Sequence, residues 1–451
     1  MRKGIVVYLL AVIFNFAYLH AKSNTSEILA LSQAANQKIV IFTNAQLNWE
    51  EKEELIRKAG GQPLQRLAFI NAIVGQFPNG MSLNLEDEPT VESVSDNSLI
   101  GLVPGIESIA GFTEPKGQEV PWGVARINSP EAWKQAQGRG VKVCIIDSGA
   151  DLQHQDLKGN VVGGANFSVD GSTTPDDNIQ DEQGHGTHVN GIVAAINNAT
   201  GLVGVAPHSF LYQAKVFGSA PYTTLAAVIA GIEYCASIEA HVANMSLGSR
   251  SDNEALHIAV QELHKAGTVI VAAAGNDSGG AVSFPGAYPE VIGVSASNSE
   301  NKMAYFSSQG PEVDVIAPGE SIPSTFPPGD YRDLSGTSMA SPHVAGVAAL
   351  VVSKNLNLTN VQVKSIIELS ATNISLPPEQ QGKGLANAAK AVEMARLTLP
   401  GAALVNIART PLGVANGQTS FISIMRQGSA PSKNARRAQN NKQALIGLFG
   451  N

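Results

Sequence analysis

The sequence predicts an α/β protein in which a mostly parallel, doubly wound sheet lies between two helical layers, preceded by a smaller α/β unit. From residue 141 onward, short apolar runs alternate with helix-like segments, which is the pattern of parallel strands joined by crossover helices. The 451 residues are 43% hydrophobic, enough for a large core. The 44 glycines and the low aromatic content of 6% are typical of many tight turns and close backbone approaches.

The first residues predict an export signal. Arg2 and Lys3 precede an apolar run over 5–19, which is too short to span a membrane comfortably. We predict a signal peptide over 1–21, cleaved after Ala21; an uncleaved anchor is the alternative. We therefore expect a secreted protein, extracellular or periplasmic, without stable membrane insertion.

The other end of the chain predicts a basic extension over 397–451. Residues 401–451 contain six basic residues and no acidic residue, whereas the whole chain has a formal net charge of −8. The overall charge argues against a nucleic-acid-binding protein. A solvated or trimmed tail is the favoured interpretation of the extension, and a surface-binding segment is the alternative.

Residues 38–95 predict a small α/β unit. Strands are expected at 38–42, 66–77 and 91–94, and a short helix is expected at 81–87. A longer helix follows Asn48 and ends at Gly60, because Asn48 and Glu51 have the spacing of a capping box. A unit of this size is marginally stable alone, so we expect it to need a partner.

Four apolar runs predict strands of the large sheet. They occupy 141–147, 210–217, 241–247 and 268–276, with helix-like stretches at 224–237 and 254–266. In parallel sheets of this kind, reactive groups collect at the carboxyl ends of the strands. We therefore expect any catalytic site to lie along that edge.

Polar residues in three motifs lie where this rule expects chemistry. Asp147 ends a strand, and His185 and Ser338 each open a helical run among glycines. A serine hydroxyl needs a base with a pKa near neutrality, and a histidine oriented by a carboxylate is such a base. Asn276 ends another strand, where its amide could donate to an oxyanion. The pattern indicates nucleophilic catalysis by serine.

A zinc site is the alternative interpretation of the histidines. His185 and His188 are three residues apart and would share one face of a helix. The H-E-x-x-H motif of zinc proteases needs a spacing of four and an intervening glutamate, and neither is present. A structural role for His188 is therefore favoured over a metal-binding role.

Five longer motifs surround the polar residues: DSG at Asp147, HGTHVNG at His185, NMSLG at 244–248, AAAGN at 272–276 and GTSMASPHVAG at Ser338. Over 118 to about 390, they resemble the subtilisin-like serine proteases. The resemblance implies a three-layer peptidase domain over 117–396, acting as a monomer on protein or peptide substrates. It implies that Ser338 attacks, that His185 is general base and then acid, and that Asp147 orients His185. Asn276 would stabilise the oxyanion.

The resemblance also implies which residues bind substrate. Two segments would pair with an extended peptide, and two further residues would form one wall of the primary specificity pocket. The first group is Pro221, Tyr222, Thr223, Ser246, Leu247 and Gly248, and the second is Ala273 and Gly275. A processing enzyme with a single target is the alternative within the family. A catalytically inactive binding or scaffold protein is the alternative of another class.

The N-terminal region resembles the propeptide of the family. We predict a propeptide over 22–116, which would assist folding, inhibit the active site and be removed by autoprocessing, so that the mature chain begins near Gly117. Such a folding aid suits a protease whose stability is kinetic. Its inhibition would make the propeptide an intramolecular partner of the peptidase domain.

The sequence departs from the family pattern at two places. Asn190 stands where a small residue usually follows HGTHV, and we expect no consequence for catalysis. The loop over 171–183 is longer than in the shortest members and contains Asp176, Asp177 and Asp181. A second calcium loop and a solvated insertion are both open interpretations of it, and the solvated insertion is favoured.

A structural Ca²⁺ site is expected near the break in the helix that follows His185. Calcium takes six to eight oxygen ligands, including backbone carbonyls. The family pattern implies side-chain oxygens from Gln118, Asp156 and Asn198, and carbonyl oxygens from Ile196, Thr200 and Leu202.

The chain has two cysteines, Cys144 and Cys235. Cys144 lies in the strand that leads to Asp147, and Cys235 lies near the end of the helix before the next predicted strand. A strand and its crossover helix pack face to face, and export favours oxidation, so we predict a disulfide between them. Two buried free thiols are the alternative.

Overall fold

The computed structural model describes residues 36–43, 47–78, 84–102, 106–107, 115, 117–168 and 177–400. The predicted signal peptide, residues 22–35 of the predicted propeptide, Lys116 and the predicted extension beyond residue 400 lie outside these ranges. The compact unit ends at Leu397, and the extension from Thr398 is a separate unit.

The N-terminal unit is a four-stranded antiparallel sheet with one helix. Its strand order is β2-β3-β1-β4. The elements are β1 (Gln37–Phe42), α1 (Trp49–Lys58), β2 (Gln62–Leu67), β3 (Ala72–Gln76) and β4 (Val91–Asp96). Helix α1 begins with the predicted capping box, in which Asn48 Oδ1 accepts from Glu51 N and Glu51 Oε2 accepts from Asn48 N.

Two expectations for this unit were wrong. The strand expected over 66–77 is interrupted by a 3₁₀ turn at Ala68–Ile70, so it forms parts of β2 and β3. The turn ends at Asn71, whose φ of 55° is left-handed and whose Nδ2 donates to the Phe42 carbonyl at 2.7 Å. Residues 84–87 of the expected short helix form turns, and 81–83 lie outside the described residues.

Both faces of the small sheet are buried. Val40 and Phe42 pack with Ile56 of α1 in a small core of the unit. Ile39 and Ile41 point to the other face, because side chains alternate along a strand, and they belong to a core cluster shared with the large domain. The large domain therefore supplies the partner that a unit of this size needs.

The large domain is built on a seven-stranded sheet in the order β15-β14-β13-β11-β7-β9-β8, and every neighbouring pair is parallel. Its strands are β7 (Lys142–Asp147), β8 (Val161–Asn166), β9 (Phe210–Lys215), β11 (Val242–Met245), β13 (Val269–Ala273), β14 (Val291–Ser297) and β15 (Val315–Pro318). The strand order reverses between β7 and β11. In open α/β sheets, ligands bind beyond the carboxyl ends of the strands at such a switch point.

Helices cover both faces of the sheet, as the predicted three-layer architecture requires. They are α2 (Trp122–Arg126), α3 (Ser129–Ala132), α4 (His185–Ala194), α5 (Leu225–Ser237), α6 (Glu254–Lys265), α7 (Thr337–Lys354), α8 (Asn360–Ser370), α9 (Pro378–Gln381) and α10 (Ala388–Leu397). Helices α5 and α6 share a core with Cys144 and Ile146 of β7, whereas α4 and α7 pack together. Among the described residues, no helix is both long and apolar enough to cross a membrane.

Two three-stranded sheets lie outside the main sheet, in the orders β10-β5-β12 and β16-β17-β6. Their strands are β5 (Leu99–Leu102), β6 (Ile106–Glu107), β10 (Tyr222–Thr224), β12 (Leu247–Gly248), β16 (Ile322–Phe326) and β17 (Asp330–Ser335). Each of the two sheets includes one strand from the predicted propeptide. The N-terminal region therefore continues into the large domain by backbone pairing.

The predicted disulfide is present between Cys144 of β7 and Cys235 of α5. The Cα atoms are 5.7 Å apart and both side chains are fully buried. The bridge joins the strand that ends at Asp147 to a helix that covers the same sheet. It closes a loop with a sequence separation of 91 residues.

We expect the double variant Cys144→Ala/Cys235→Ala to lose stability, because the bridge restricts the unfolded chain. The chain-entropy relation gives an upper figure of about 4–5 kcal/mol for a loop of this length. Urea unfolding of the inhibited protein, with and without reductant, measures the difference. Reductant should lower the midpoint of the parent and leave that of the double variant unchanged. Equal midpoints for the parent and the double variant in the absence of reductant would contradict the prediction.

Candidate active site

The predicted catalytic residues lie at element ends beside the switch point. Asp147 is the last residue of β7, His185 is the first residue of α4, and Ser338 is the second residue of α7. Gly149 turns the chain sharply after β7 with a φ of 106°, and a Cβ there would lie 2.4 Å from the Ile179 carbonyl oxygen. Only glycine therefore fits this turn.

Asp147 and His185 form a buried hydrogen-bonded pair. His185 Nδ1 lies 2.8 Å from Asp147 Oδ1, which also accepts from Ser148 N at 2.8 Å. Nε2 of His185 has no hydrogen-bond partner among the described residues. Burial acts to lower the pKa of His185, but the charge and hydrogen bond of Asp147, with the charge of Asp181, leave that pKa raised. The pair suits a base whose cationic form is stabilised.

Asp181 is a buried residue of the site whose contacts with the start of α4 were not expected from the sequence. Its Oδ1 accepts from Ser148 Oγ and from Gly184 N, both at 2.9 Å, and its Oδ2 accepts from Thr187 N at 2.8 Å. Asp181 is 5% exposed, so the favoured interpretation of its loop as a solvated insertion was wrong at this residue. The carboxylate satisfies free N–H groups at the start of α4 and carries the charge that a helix N-terminus favours.

The interpretation of this loop as a second calcium site concerns its other two aspartates as well. Asp177 is exposed, and Asp176 lies outside the described residues. Within the described ranges, no group of three or more His, Cys, Asp or Glu side chains could hold a metal ion. The spacing of Asp181 from the start of α4 was the available sequence signal, because acidic residues are common near helix N-termini.

Ser338 is fully buried at the start of α7, and its Oγ donates to the Ser246 carbonyl at 3.2 Å. Next to it, Thr337 donates to Asn276 Oδ1 from both N and Oγ1, at 2.9 and 3.0 Å. An N–H cannot donate to an amide NH₂, so these bonds identify the oxygen of Asn276 and direct its Nδ2 away from Thr337. The start of α7 thus carries the Ser338 hydroxyl and, through Thr337, holds the Asn276 amide.

The predicted substrate-binding segments meet at β5. Tyr222 and Thr223 of β10 pair with it on one side, and Leu247 and Gly248 of β12 pair with it on the other. The Pro221 carbonyl accepts from Leu102 N at 2.9 Å. All these pairings are antiparallel, so β5 lies between the two predicted substrate-binding strands, β10 and β12, as an added strand.

The two predicted pocket residues lie beside the start of α7. Ala273 is buried at the end of β13. Gly275 N donates to Thr337 Oγ1 at 3.1 Å, and a Cβ on Gly275 would lie 2.5 Å from Ser283 Oγ. Its φ of 108° also favours glycine. Gly275 and Ser338 are therefore connected through Thr337.

His188 does not join His185 in a metal site. Its Nε2 lies 2.9 Å from the Arg332 carbonyl, to which it donates, and the residue is fully buried. Burial lowers the pKa of His188 to about 3. His188 is therefore a neutral histidine that connects α4 to β17, as the structural interpretation expected.

Asn190 forms a reciprocal amide pair with Gln213 of β9. Asn190 Nδ2 donates to Gln213 Oε1 at 3.0 Å, and Gln213 Nε2 donates to Asn190 Oδ1 at 2.7 Å. Asn190 Nδ2 also lies 2.7 Å from the Gly186 carbonyl and 3.3 Å from the Gly149 carbonyl. Both amides are fully buried. The pair connects the start of α4 with the turn after Asp147.

We expect Asn190→Ala to lower the free energy of unfolding by about 1–3 kcal/mol, because it leaves the buried amide of Gln213 without its partner. The double variant Asn190→Ala/Gln213→Ala removes both amides and should recover part of this loss. Urea unfolding of the inhibited proteins measures both values. The single variant Gln213→Ala completes the comparison. If the double variant loses as much free energy of unfolding as Asn190→Ala and Gln213→Ala together, the two amides are not coupled.

Four of the six predicted calcium ligands converge on the side-chain amide of a fifth, Gln118. Gln118 Nε2 lies 2.7 Å from the Ile196 carbonyl oxygen and within 3.5 Å of three further oxygens, which are Asn198 Oδ1 and the carbonyls of Thr200 and Leu202. Asp156 is fully buried beside them, where its Oδ2 accepts from Leu202 N and from the Tyr331 hydroxyl, both at 2.8 Å. Four neutral oxygens around the Gln118 amide, with one buried carboxylate nearby, form a donor set that fits Ca²⁺.

Comparison with known proteins finds one family model and several relatives that are proteases of one kind. A model of the subtilase family matches residues 138–388. Subtilisin E of Bacillus subtilis (strain 168) is 37% identical over 396 residues, which cover 86% of this chain and 98% of the relative. Alkaline protease of Alkalihalobacillus alcalophilus is 35% identical over 385 residues, or 84% and 97%. Subtilisin Savinase of Lederbergia lenta is 42% identical over 272 residues, or 60% and 98%.

Proposed function

This chain belongs to the subtilase family of serine endopeptidases, and from this premise we propose that Asp147, His185 and Ser338 are its catalytic triad. The observation that carries the proposal is the buried bond between Asp147 and His185 at the sheet's switch point, with α4 packed against the helix that begins beside Ser338. The three side chains have the chemistry that acyl transfer needs.

In the proposed mechanism, Ser338 Oγ attacks the carbonyl carbon of the substrate while His185 Nε2 takes the hydroxyl proton. The oxyanion is stabilised by Asn276 Nδ2 and by the backbone N–H groups at the start of α7. His185 returns the proton to the amine as the peptide C–N bond breaks, which leaves an ester on Ser338. Water, activated by His185, then hydrolyses the ester. Asp147 holds the imidazole and stabilises its cationic form throughout.

The substrate would bind as a strand between β10 and β12. The backbone pairing of β5 supports this geometry, because it uses the residues expected to hold a peptide. Main-chain bonds give such a strand affinity without sequence preference, and side-chain pockets give specificity. We therefore propose that the chain is an endopeptidase that acts as a monomer on proteins or peptides.

We propose further that residues 22–116 are a propeptide in an exported zymogen. The small sheet is buried against the large domain, and β5 occupies the place between β10 and β12 where the substrate is proposed to bind, which supports an inhibitory role. Asn97 Oδ1 accepts from Ala226 N at 2.9 Å and so satisfies the start of α5. The predicted signal peptide over 1–21 supports export to the cell exterior or periplasm.

A serine-directed fluorophosphonate tests the proposed nucleophile. The processed protein should be labelled at Ser338, and sequencing of the cleavage products from a denatured protein mixture should reveal several cut sites. A single cut protein in such a mixture would favour the narrow processing enzyme. An unlabelled Ser338 would favour the inactive scaffold and contradict the proposal.

We propose a structural Ca²⁺ bound by Gln118, Asp156, Ile196, Asn198, Thr200 and Leu202. Its role would be to hold the segment after Gly117 to the loop over 196–202 by charge and oxygen ligation. The convergence of four oxygens around the Gln118 amide supports the assignment.

Chelation is therefore expected to shorten the half-life of the processed enzyme at elevated temperature, since removal of the ion leaves the buried Asp156 carboxylate without its cation. Residual activity after heating with and without EDTA measures the effect. The variant Asn198→Ala serves as the control and should be short-lived under both conditions. An unchanged half-life of the parent enzyme in EDTA would argue against a stabilising ion.

A further inference from the structure

Gln183 connects the loop before His185 to the segment 218–221, which leads into β10. Its Nε2 donates to the Gly218 carbonyl and, at 2.6 Å, to the Ala220 carbonyl. An amide NH₂ group has two hydrogens, one for each of these oxygens, so both of its donors are used. The partners lie 35 and 37 residues away in the sequence, so the connection is made only in the folded chain.

The backbone of Gln183 is fixed at the start of α4. Gln183 N donates to Asp181 Oδ1 at 2.9 Å, and the same oxygen accepts from Gly184 N at 2.9 Å. Asp181 is buried and also accepts from Ser148 Oγ. Because His185 is the first residue of α4, the Gln183 side chain extends from a segment whose position is tied to that of the proposed base.

The other end of the connection lies next to a carbonyl that binds an extended chain. The Pro221 carbonyl accepts from Leu102 N of β5 at 2.9 Å, whereas the carbonyl of the preceding residue, Ala220, accepts from Gln183. Consecutive carbonyl groups of the segment 218–221 therefore bind two different partners. One partner is the loop before His185, and the other is the strand that lies between β10 and β12.

Few contacts hold the segment 218–221 in place. Its four residues are exposed or half-buried. Over the part of the chain that the structure describes, its hydrogen bonds are the one from Leu102 and the two from Gln183. If β5 leaves, only the two bonds from Gln183 remain of this set. An incoming peptide would then meet a segment whose position depends on one side chain.

We infer that Gln183 is a positioning residue for the substrate, which holds the segment 218–221 to the loop before His185 so that a peptide paired with β10 lies in register with the nucleophile. This inference rests on the proposed function, because it assumes that a peptide takes the place of β5. The effect applies to substrates long enough to pair with β10. A substrate too short to reach the segment does not depend on the Gln183 amide.

The test compares two chromogenic peptides on the processed enzyme, one with several residues before the cleaved bond and one with a single residue there. Gln183→Ala should raise KM for the long peptide at least fivefold and keep kcat within twofold, because the amide acts on binding and not on acyl transfer. For the short peptide, kcat/KM should change less than twofold. Titration with a fluorophosphonate gives the concentration of active enzyme.

The variant Gln183→Glu separates hydrogen bonding from packing. Glutamate has the same size, but its carboxylate oxygens cannot donate to the two carbonyls. We expect KM for the long peptide to rise at least as much as in Gln183→Ala, and this comparison holds even where the alanine variant does not fold. Gln183→Lys, whose ammonium can donate, should bring KM to within threefold of the parent. An unchanged KM in Gln183→Glu would mean that the side chain only fills space.

Glu182→Ala is the matched control. Glu182 is the exposed neighbour of Gln183, and the residues that the structure describes give it no hydrogen bond, so neither peptide should change more than twofold. An equal loss on both peptides in Gln183→Ala, or a lower kcat with an unchanged KM, would place the effect on His185 and overturn the inference. A parent enzyme that cleaves neither peptide would contradict the proposed function itself, whereas an active parent whose KM the variants share would contradict only the role of Gln183.

Discussion

Replacement of Ser338 by alanine is expected to lower kcat/KM on peptide substrates by on the order of a millionfold, the size known for proteases in which the three residues act as one unit. The variant keeps the fold but has no oxygen that can form the acyl-enzyme. For the same reason the chain should accumulate as a precursor that still carries its N-terminal region. Hydrolysis of a chromogenic peptide and the mass of the purified chain measure both effects.

Ser341→Ala is the matched control for this variant. Ser341 is also a buried serine of α7, and its Oγ lies 3.0 Å from Ser246 Oγ. It has no role in the proposed reaction, so we expect normal maturation and a loss of activity below tenfold. Activity of Ser338→Ala above 1% of the parent would contradict the assignment of the nucleophile.

Local patterns predicted the features that depend on residues close in sequence. The capping box of α1 involves only Asn48 and Glu51, and glycines mark the turns next to Asp147 and His185. The break between β2 and β3 could not be read in this way, because the apolar pattern over 66–77 continues through it. The break depends on the bond from Asn71 to the Phe42 carbonyl, 29 residues away.

The features of the site that sequence reasoning missed involve partners from several elements. Asp181 looked like one residue of a solvated acidic loop, but Ser148 after β7 and Thr187 in α4 surround its carboxylate. Asn190 stood out only as a departure from a family pattern. Its role depends on Gln213, which lies in β9 and forms no motif with it. Such pairs become visible only when the strands and helices are assembled.

Asp147→Asn is expected to lower kcat by about four orders of magnitude while leaving the fold intact. Asp147 Oδ1 accepts from His185 Nδ1, which places the proton on Nδ1 and leaves Nε2 free to take the proton of Ser338. An asparagine can present its NH₂ group to Nδ1, and the proton of the neutral imidazole then moves to Nε2. In that tautomer His185 cannot act as the base. Steady-state kinetics on a peptide substrate, with circular dichroism as a check of folding, measures the loss.

The pH dependence of the same variant separates orientation from charge. His185 must be neutral to act as a base, so activity falls as the pH drops through its pKa. Asp147 raises that pKa, and Asp147→Asn should therefore move the acidic limb of kcat/KM to lower pH. Asp181 contributes a smaller part of the increase, so Asp181→Asn should move the limb in the same direction by less, with kcat within tenfold of the parent. A limb that moves to higher pH in Asp147→Asn would show that the carboxylate does not stabilise the cationic imidazole, and the role assigned to Asp147 would be wrong.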